Sequence, residues 1–286
     1  MARPLRIQFP GAVYHITSRG NEKQNIFLDD IDRNVFLNVL AETVKIYNWL
    51  CHAYSLMSNH NHLSIETPDG NLSDGMHHLN SVYSQKFNKR HERVGHLFQG
   101  RYKSILIEKE GHLLEVARYS VINQVRAGMV KVPGDWAWSS YRAMIGQAEV
   151  PDFLTTDWLL GIFSGDRAQA QKLYRDFVLA GIDQESPFDN VQEGNILGCQ
   201  QFIDIVWDNV TKGSEQIKDI PRFQRIVGRP TLEEMFSETK SLKDRNRAIQ
   251  FAKLRFGYLG SEIAHHLDLD RSTVGKIIRG TYNIKK

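Results

Sequence analysis

Cysteine is scarce in this chain. Only Cys51 and Cys199 occur among 286 residues, too few for a disulfide framework, and neither belongs to a Cys-x-x-Cys pair. That usage fits a reducing compartment. Long apolar runs are missing as well, since none approaches the ~20 residues that span a bilayer. The basic opening Met1-Ala2-Arg3-Pro4-Leu5-Arg6 leads into no signal-peptide apolar segment. A soluble cytoplasmic protein with no membrane partner is the expectation. Nor is there a large excess of one charge: 36 Lys and Arg face 33 Asp and Glu.

The charge is nevertheless unevenly placed. Residues 1–146 carry +4, residues 147–239 carry −8 and residues 240–286 carry +7. Two basic ends flank an acidic middle, and basic ends are what a phosphate backbone attracts. The length suggests roughly two domains. The charge pattern divides them further into residues 1–146, an acidic helical connector at 147–239 and a basic tail at 240–286.

The most informative stretch is Ser58-Asn59-His60-Asn61-His62-Leu63-Ser64-Ile65. Two histidines one residue apart on a strand point to the same face, where a divalent metal could sit. Later, Arg118-Tyr119-Ser120-Val121-Ile122-Asn123 reads as helix, so Tyr119 and Asn123, four apart, leave one helix face together. An amide oxygen can bind a hard cation, and a phenolic oxygen can act as a nucleophile once oriented and deprotonated.

Four motifs stand in a telling order: Tyr14-His15, Met57-Ser58-Asn59-His60-Asn61-His62-Leu63, Gly95-His96-Leu97-Phe98-Gln99-Gly100-Arg101-Tyr102-Lys103-Ser104, and Arg118-Tyr119 with Asn123 ahead of Val125-Arg126-Ala127-Gly128. Together they resemble the single-tyrosine HUH transposase family, most of all its REP-associated tyrosine transposases, over about the first half of the chain. The resemblance implies an α+β fold, an antiparallel sheet with packed helices of the ferredoxin-like or RRM-like kind. It also implies phosphoryl transfer on single-stranded or hairpin DNA, with His60, His62 and Asn123 holding Mg²⁺ or Mn²⁺. Tyr119 would attack the scissile phosphate to give a 5′-phosphotyrosine link and a free 3′-hydroxyl. Relatives include dimers that exchange the tyrosine helix and monomers, so either a monomer or a homodimer fits.

In chain order, residues 11–18 alternate as a half-buried strand and Arg19-Gly20-Asn21 turns. Arg19 is a candidate phosphate contact; His15 could face DNA, although a lone histidine in a strand is more often structural. Residues 29–48 have helical spacing, 49–57 and 59–67 read as strands, and Pro68-Asp69-Gly70-Asn71 as a turn. Between the histidines, where relatives usually carry a bulky apolar residue, stands Asn61; a buried amide costs about 1–3 kcal/mol unless partnered, so the site is looser or Asn61 bonds neighbouring backbone. A helix at 73–88 is followed by Lys86, Lys89, Arg90, Arg93, Arg101, Tyr102 and Lys103, and basic residues among aromatics suit single-stranded or hairpin DNA. Strand 104–107 and helix 109–123 come next, with Trp136 and Trp138 as core anchors.

Residues 245–256, 261–267 and 271–280 read as three helices, the last two joined by Asp268-Leu269-Asp270. This is a helix-turn-helix pattern, with Asp270 capping its second helix. It resembles the C-terminal DNA-binding domain of the initiator DnaA, which would place Arg271, Ser272, Thr273 and Lys276 against duplex DNA. The competing functional reading is a DNA-binding regulator that recognises hairpins without cleaving them. A third is a metal hydrolase that uses water and leaves Tyr119 dispensable.

Overall fold

The computed structural model describes residues 7–192, 195–212, 231–237, 239, 241–254 and 258–278. The chain divides into two compact units, one spanning Gln8–Cys199 and the other containing the described residues from Gln200 onward.

The first unit is α+β. Its strands are β1 (Ala12–Arg19), β2 (Leu50–Leu56), β3 (His60–Thr67), β4 (Lys103–Ile107) and β5 (Ile196–Leu197), in the spatial order β2-β3-β1-β4-β5. β1 pairs antiparallel with β3 on one side and β4 on the other, and β2 pairs antiparallel with β3. The short β5 joins β4 in parallel, so the sheet is mixed rather than purely antiparallel. A two-residue parallel edge leaves no periodic signal in sequence.

Two helices cover one face. α1 (Asp30–Ile46) starts at Asp29, whose carboxylate accepts the Asp32 N–H at 3.0 Å. α2 (Leu72–Arg90) packs along α1 and meets the sheet where Asn80 Nδ2 donates to Ser18 Oγ at 3.2 Å. Gly75 lets α2 lie close to Trp49, for a Cβ there would stand 2.1 Å from the indole. Ile16, Phe36, Leu63, Ile65, Leu79 and Tyr83 form this side's core, each excluded from solvent. On the opposite face α3 (Lys109–Arg126) crosses β1, β2 and β3.

Residues after α3 stay within this unit. They form α4 (Tyr141–Met144), α5 (Asp157–Gly161) and α6 (Arg167–Ala180), with α6 against α3. Thr155 N–H donates to the Cys51 carbonyl at 2.7 Å, and Leu106 N–H donates to the Asn195 carbonyl at 2.8 Å. These bonds tie both edges of the sheet to later chain, and the compact unit runs on to Cys199. Trp136 and Trp138 are only half-buried, each with the Arg33 guanidinium 5.5 Å from its ring. They sandwich a cation rather than fill the core.

In the second unit the described helices are α7 (Gln200–Lys212), α8 (Leu232–Phe236), α9 (Leu242–Leu254), α10 (Gly260–His266) and α11 (Arg271–Ile278). α8 opens with a capping box made by Thr231 and Glu234. Ile249, Ala252, Tyr258, Ile263, Ala264, Val274 and Ile277 make one core that joins α9, α10 and α11. A tight turn links α10 to α11: Leu269 N–H reaches back to the Ala264 carbonyl at 2.9 Å, and Asp268 takes a positive φ of 50°. The predicted ends of two helices, Arg255-Phe256 and Arg279-Gly280, lie outside the described residues.

Candidate active site

The strand register builds one polar row across the sheet. Ser55 of β2 and Thr17 of β1 both lie opposite His62, Lys103 lies opposite Thr17, and Arg19 lies opposite His60. Side chains alternate along a strand, so His60, His62 and His15 share the face that α3 covers. Asn61, Leu63 and Ile65 share the other.

Each histidine of the pair has one ring nitrogen occupied. His60 Nδ1 lies 2.7 Å from Asn59 Oδ1, and His62 Nδ1 lies 3.0 Å from His15 Nε2. Among the described residues neither Nε2 has a protein partner. The two rings stand 4.9 Å apart at 75°. Burial first, and then the Arg19 guanidinium, push the His60 imidazole down to about 4. Burial, together with His15 and His60, holds His62 well below the ordinary range, and burial alone takes His15 to about 3. All three rings are neutral at neutral pH, the state in which imidazole binds a metal.

The Tyr119 ring, half-buried on α3, is 6.4 Å from that of His62 and nearly perpendicular to it at 78°. Arg126 brings its guanidinium 5.3 Å from the Tyr119 ring. Phe188, in the short turn Pro187–Asn190, lies 5.0 Å from Tyr119 and 4.6 Å from His15. One residue further round the helix, Ser120 and Gln124 face the sheet. Gln124 Oε1 accepts from Ser55 Oγ at 3.1 Å, and Ser120 Oγ is 3.5 Å from His15 Nδ1. Asn123, 9% exposed and one turn beyond Tyr119, has an Nδ2 with no partner.

This donor set fits a hard divalent cation. Two neutral imidazole nitrogens are left without protein partners, and the nearly buried Asn123 amide, whose Nδ2 is unpartnered, carries an oxygen of the kind a hard cation takes. No group of three His, Cys, Asp or Glu suited to a metal occurs among the described residues.

Asn61 is fully buried on the opposite face, where its Oδ1 accepts the Ser18 backbone N–H at 3.3 Å while Nδ2 has no partner. Of the basic residues, Arg19 and Lys103 are exposed in line with the histidines. The Arg19 carbonyl accepts from Gln99 N–H at 2.9 Å, which lays the loop after α2 beside it. Lys86 and Lys89 are exposed on α2, and Arg101 is exposed in the loop. Arg90 instead binds Asp29 and Asp32, with contacts of 2.5 Å to each, and its hydrogen bond pulls the Asp29 carboxyl down to about 2. Arg93 donates to Gln24 Oε1 at 3.1 Å, and the Tyr102 hydroxyl is 3.3 Å from Ser73 Oγ at the start of α2. In the second unit Arg271, Ser272 and Lys276 are exposed and Thr273 is half-buried.

Sequence reasoning missed Ser120, Gln124, Arg126 and Phe188. The first two carried a signal, a polar i, i+4 pair beside Tyr119 and Asn123. Phe188 carried none, because its partners lie far away in sequence.

Residues 8–124, which include both histidines, Tyr119 and Asn123, match the family model described as Transposase IS200 like. The resemblance seen in the motifs holds over that stretch. No curated protein matches the chain. Among solved structures the chain is similar to a REP-associated tyrosine transposase bound to a REP hairpin, at 16% identity and a TM-score of 0.46, covering 54% of this chain and 92% of that one. It is also similar to tRNA(His) guanylyltransferase from Saccharomyces cerevisiae, at 10% identity and a TM-score of 0.34, covering 71% of this chain and 96% of that one. At these scores neither likeness establishes a shared fold, and the family match is the tie to known proteins.

Proposed function

We propose that this protein is a metal-dependent single-stranded DNA endonuclease and strand transferase that cuts and rejoins hairpin-associated DNA through Tyr119. One observation carries the reading: two neutral histidines with open Nε2 atoms lie beside a half-exposed tyrosine whose helix also brings an unpartnered amide. The nuclease work belongs to residues 1–146 and a duplex contact to residues 240–286, with 147–239 as connector.

His60 Nε2, His62 Nε2 and the Asn123 amide oxygen would hold Mg²⁺ or Mn²⁺, which when bound polarises the scissile phosphate and offsets charge on its non-bridging oxygens. Tyr119 Oη attacks phosphorus, the bond to the 3′ oxygen breaks, and the departing oxygen gains a proton as the phenol loses one. The product is a 5′-phosphotyrosine with a free 3′-hydroxyl. Because the link is a phosphodiester, attack by a 3′-hydroxyl restores a DNA strand. Arg19 and Lys103 flank the row and neutralise phosphates on either side. The loop with Arg93, Arg101 and Tyr102, continuing from Lys86 and Lys89, guides the hairpin, while Arg90 stays paired with Asp29 and Asp32.

In the second unit, α10 and α11 form a helix-turn-helix that presents Arg271, Ser272, Thr273 and Lys276 to duplex DNA. Replacing Arg271 and Lys276 together by Ala should reduce the salt slope of duplex binding by about 2; an unchanged slope would remove that role.

The central experiment incubates end-labelled hairpin DNA with the protein and Mn²⁺ or Mg²⁺ and resolves the products on a denaturing gel. A covalent adduct that needs metal and is lost in Tyr119→Phe supports the reading. Cleavage that survives Tyr119→Phe assigns the attack to water. Hairpin binding without adduct or cleavage makes the protein a regulator.

A further inference from the structure

Val116 contributes a backbone carbonyl, which can only accept a hydrogen bond. Ser120 Oγ lies 2.9 Å from it and donates its single proton there. With that proton engaged, the Ser120 oxygen is free to act as an acceptor toward its other neighbour, His15 Nδ1, at the longer distance of 3.5 Å. A neutral imidazole carries one N–H, so a proton on His15 Nδ1 leaves Nε2 as an acceptor. That acceptor is 3.0 Å from His62 Nδ1. His62 therefore donates from Nδ1, and its Nε2 is a bare lone pair.

We propose that His15 and Ser120 are positioning residues that fix the tautomer of His62, keeping its proton on Nδ1 and its Nε2 open to a divalent cation. The role toward a cation rests on the reading of His60 and His62 as ligands; the proton assignment does not. Reversing the chain requires Ser120 to abandon the Val116 carbonyl and give its proton to His15. His62 would then carry its proton on Nε2, with nothing to offer a metal. A second proton on either ring would set two N–H groups against each other across 3.0 Å.

His60 arrives at the same tautomer by another route. Asn59 Oδ1, 2.7 Å away, accepts from Nδ1 and leaves Nε2 open. Free histidine prefers the opposite tautomer, so two unrelated acceptors have been placed to overrule it. Metal-binding histidines in general depend on such a partner at the other ring nitrogen. Ser120 also follows Tyr119 directly on α3, so the relay fastens the helix of the attacking group to the strand of the donors.

The test uses the full chain, metal-free and labelled with ¹⁵N-histidine, with the His62 signals assigned by comparison with His62→Gln. Long-range ¹H–¹⁵N correlations should show His62 protonated at Nδ1 and bare at Nε2; the reverse assignment overturns the proposal. In Ser120→Ala, with folding checked by circular dichroism, the Nε2–H form should appear and Mn²⁺ affinity measured by calorimetry should fall about 10–100-fold. His15→Gln, whose amide oxygen can still accept from His62, should keep more affinity than His15→Leu. Unchanged tautomer and affinity in both Ser120→Ala and His15→Leu would also overturn it. The expected tautomer in an unmutated protein that binds no Mn²⁺ would support the proton assignment and defeat the ligand role, so the two failures are separable.

Discussion

Leu63 and Ile65 of β3 turn toward α1 and α2 and touch no solvent, whereas His60 and His62, one residue out of phase on the same strand, turn toward α3. Both faces are covered, yet one is closed by apolar contact and the other by hydrogen bonds. On the apolar face the polar exceptions are Asn61, Ser18 and Asn80, and most of the energy lies in apolar area removed from water. On the polar face burial is tolerable only where each polar atom has a partner. Buried atoms there that lack one include Ser64 Oγ and Asn123 Nδ2, and the Nε2 atoms of His60 and His62 are also left open. The difference teaches where stability ends and chemistry begins on a single strand.

The contrast can be broken most sharply from the polar side. His62→Gln and Asn123→Ala should each reduce metal-dependent cleavage by at least about 100-fold, with little change in melting temperature; equal losses of folding and activity would erase the distinction. On the apolar side Leu63→Ala should cost about 2–5 kcal/mol in denaturant unfolding, while the fraction that stays folded retains its cleavage rate.

Between about pH 6.5 and 4, acid should weaken the fold through the buried histidines of the polar face, before the lower-titrating Asp29 carboxylate that Arg90 holds is reached. A buried histidine with a folded value below its unfolded one leaves the unfolded chain holding more protons. Stability is therefore complete above about pH 6.5 and falls as pH drops toward about 4 for His60, and further still for His15. Melting scans across that range should show the decline in the parent protein and a shallower one when His15 and His60 are both replaced by Gln. The smallest effect is expected at Asn61→Leu. It removes the unpartnered Nδ2 but also the acceptor for Ser18 N–H, two opposing terms that should leave stability within about 1 kcal/mol. A larger change of either sign would show that one term dominates.

Much of this was legible in the sequence, and the physical reason is locality. Alternation around His60 and His62 and the i, i+4 spacing of Tyr119 and Asn123 are local patterns, and the strand and helix they imply are present. The backbone bond expected of Asn61 is also present, to Ser18. What stayed hidden depends on residues distant in the chain. Arg90, read as a DNA contact, is held by Asp29 and Asp32 some sixty positions earlier. His15 meets Ser120 across 105 positions. Phe188 reaches Tyr119 from a stretch whose acidity suggested only a solvated connector. Periodicity reports which face a side chain takes, not which partner waits there.

The most direct test of the central claim is to trap the reaction with hairpin DNA and Mn²⁺, digest the protein, and identify by mass spectrometry the peptide that carries a 5′-phosphonucleotide. The account predicts a single modified residue, Tyr119, and no modified peptide when the metal is chelated. Cleaved DNA with free 5′-phosphates and no modified peptide, or a nucleotide on any other residue, would contradict it.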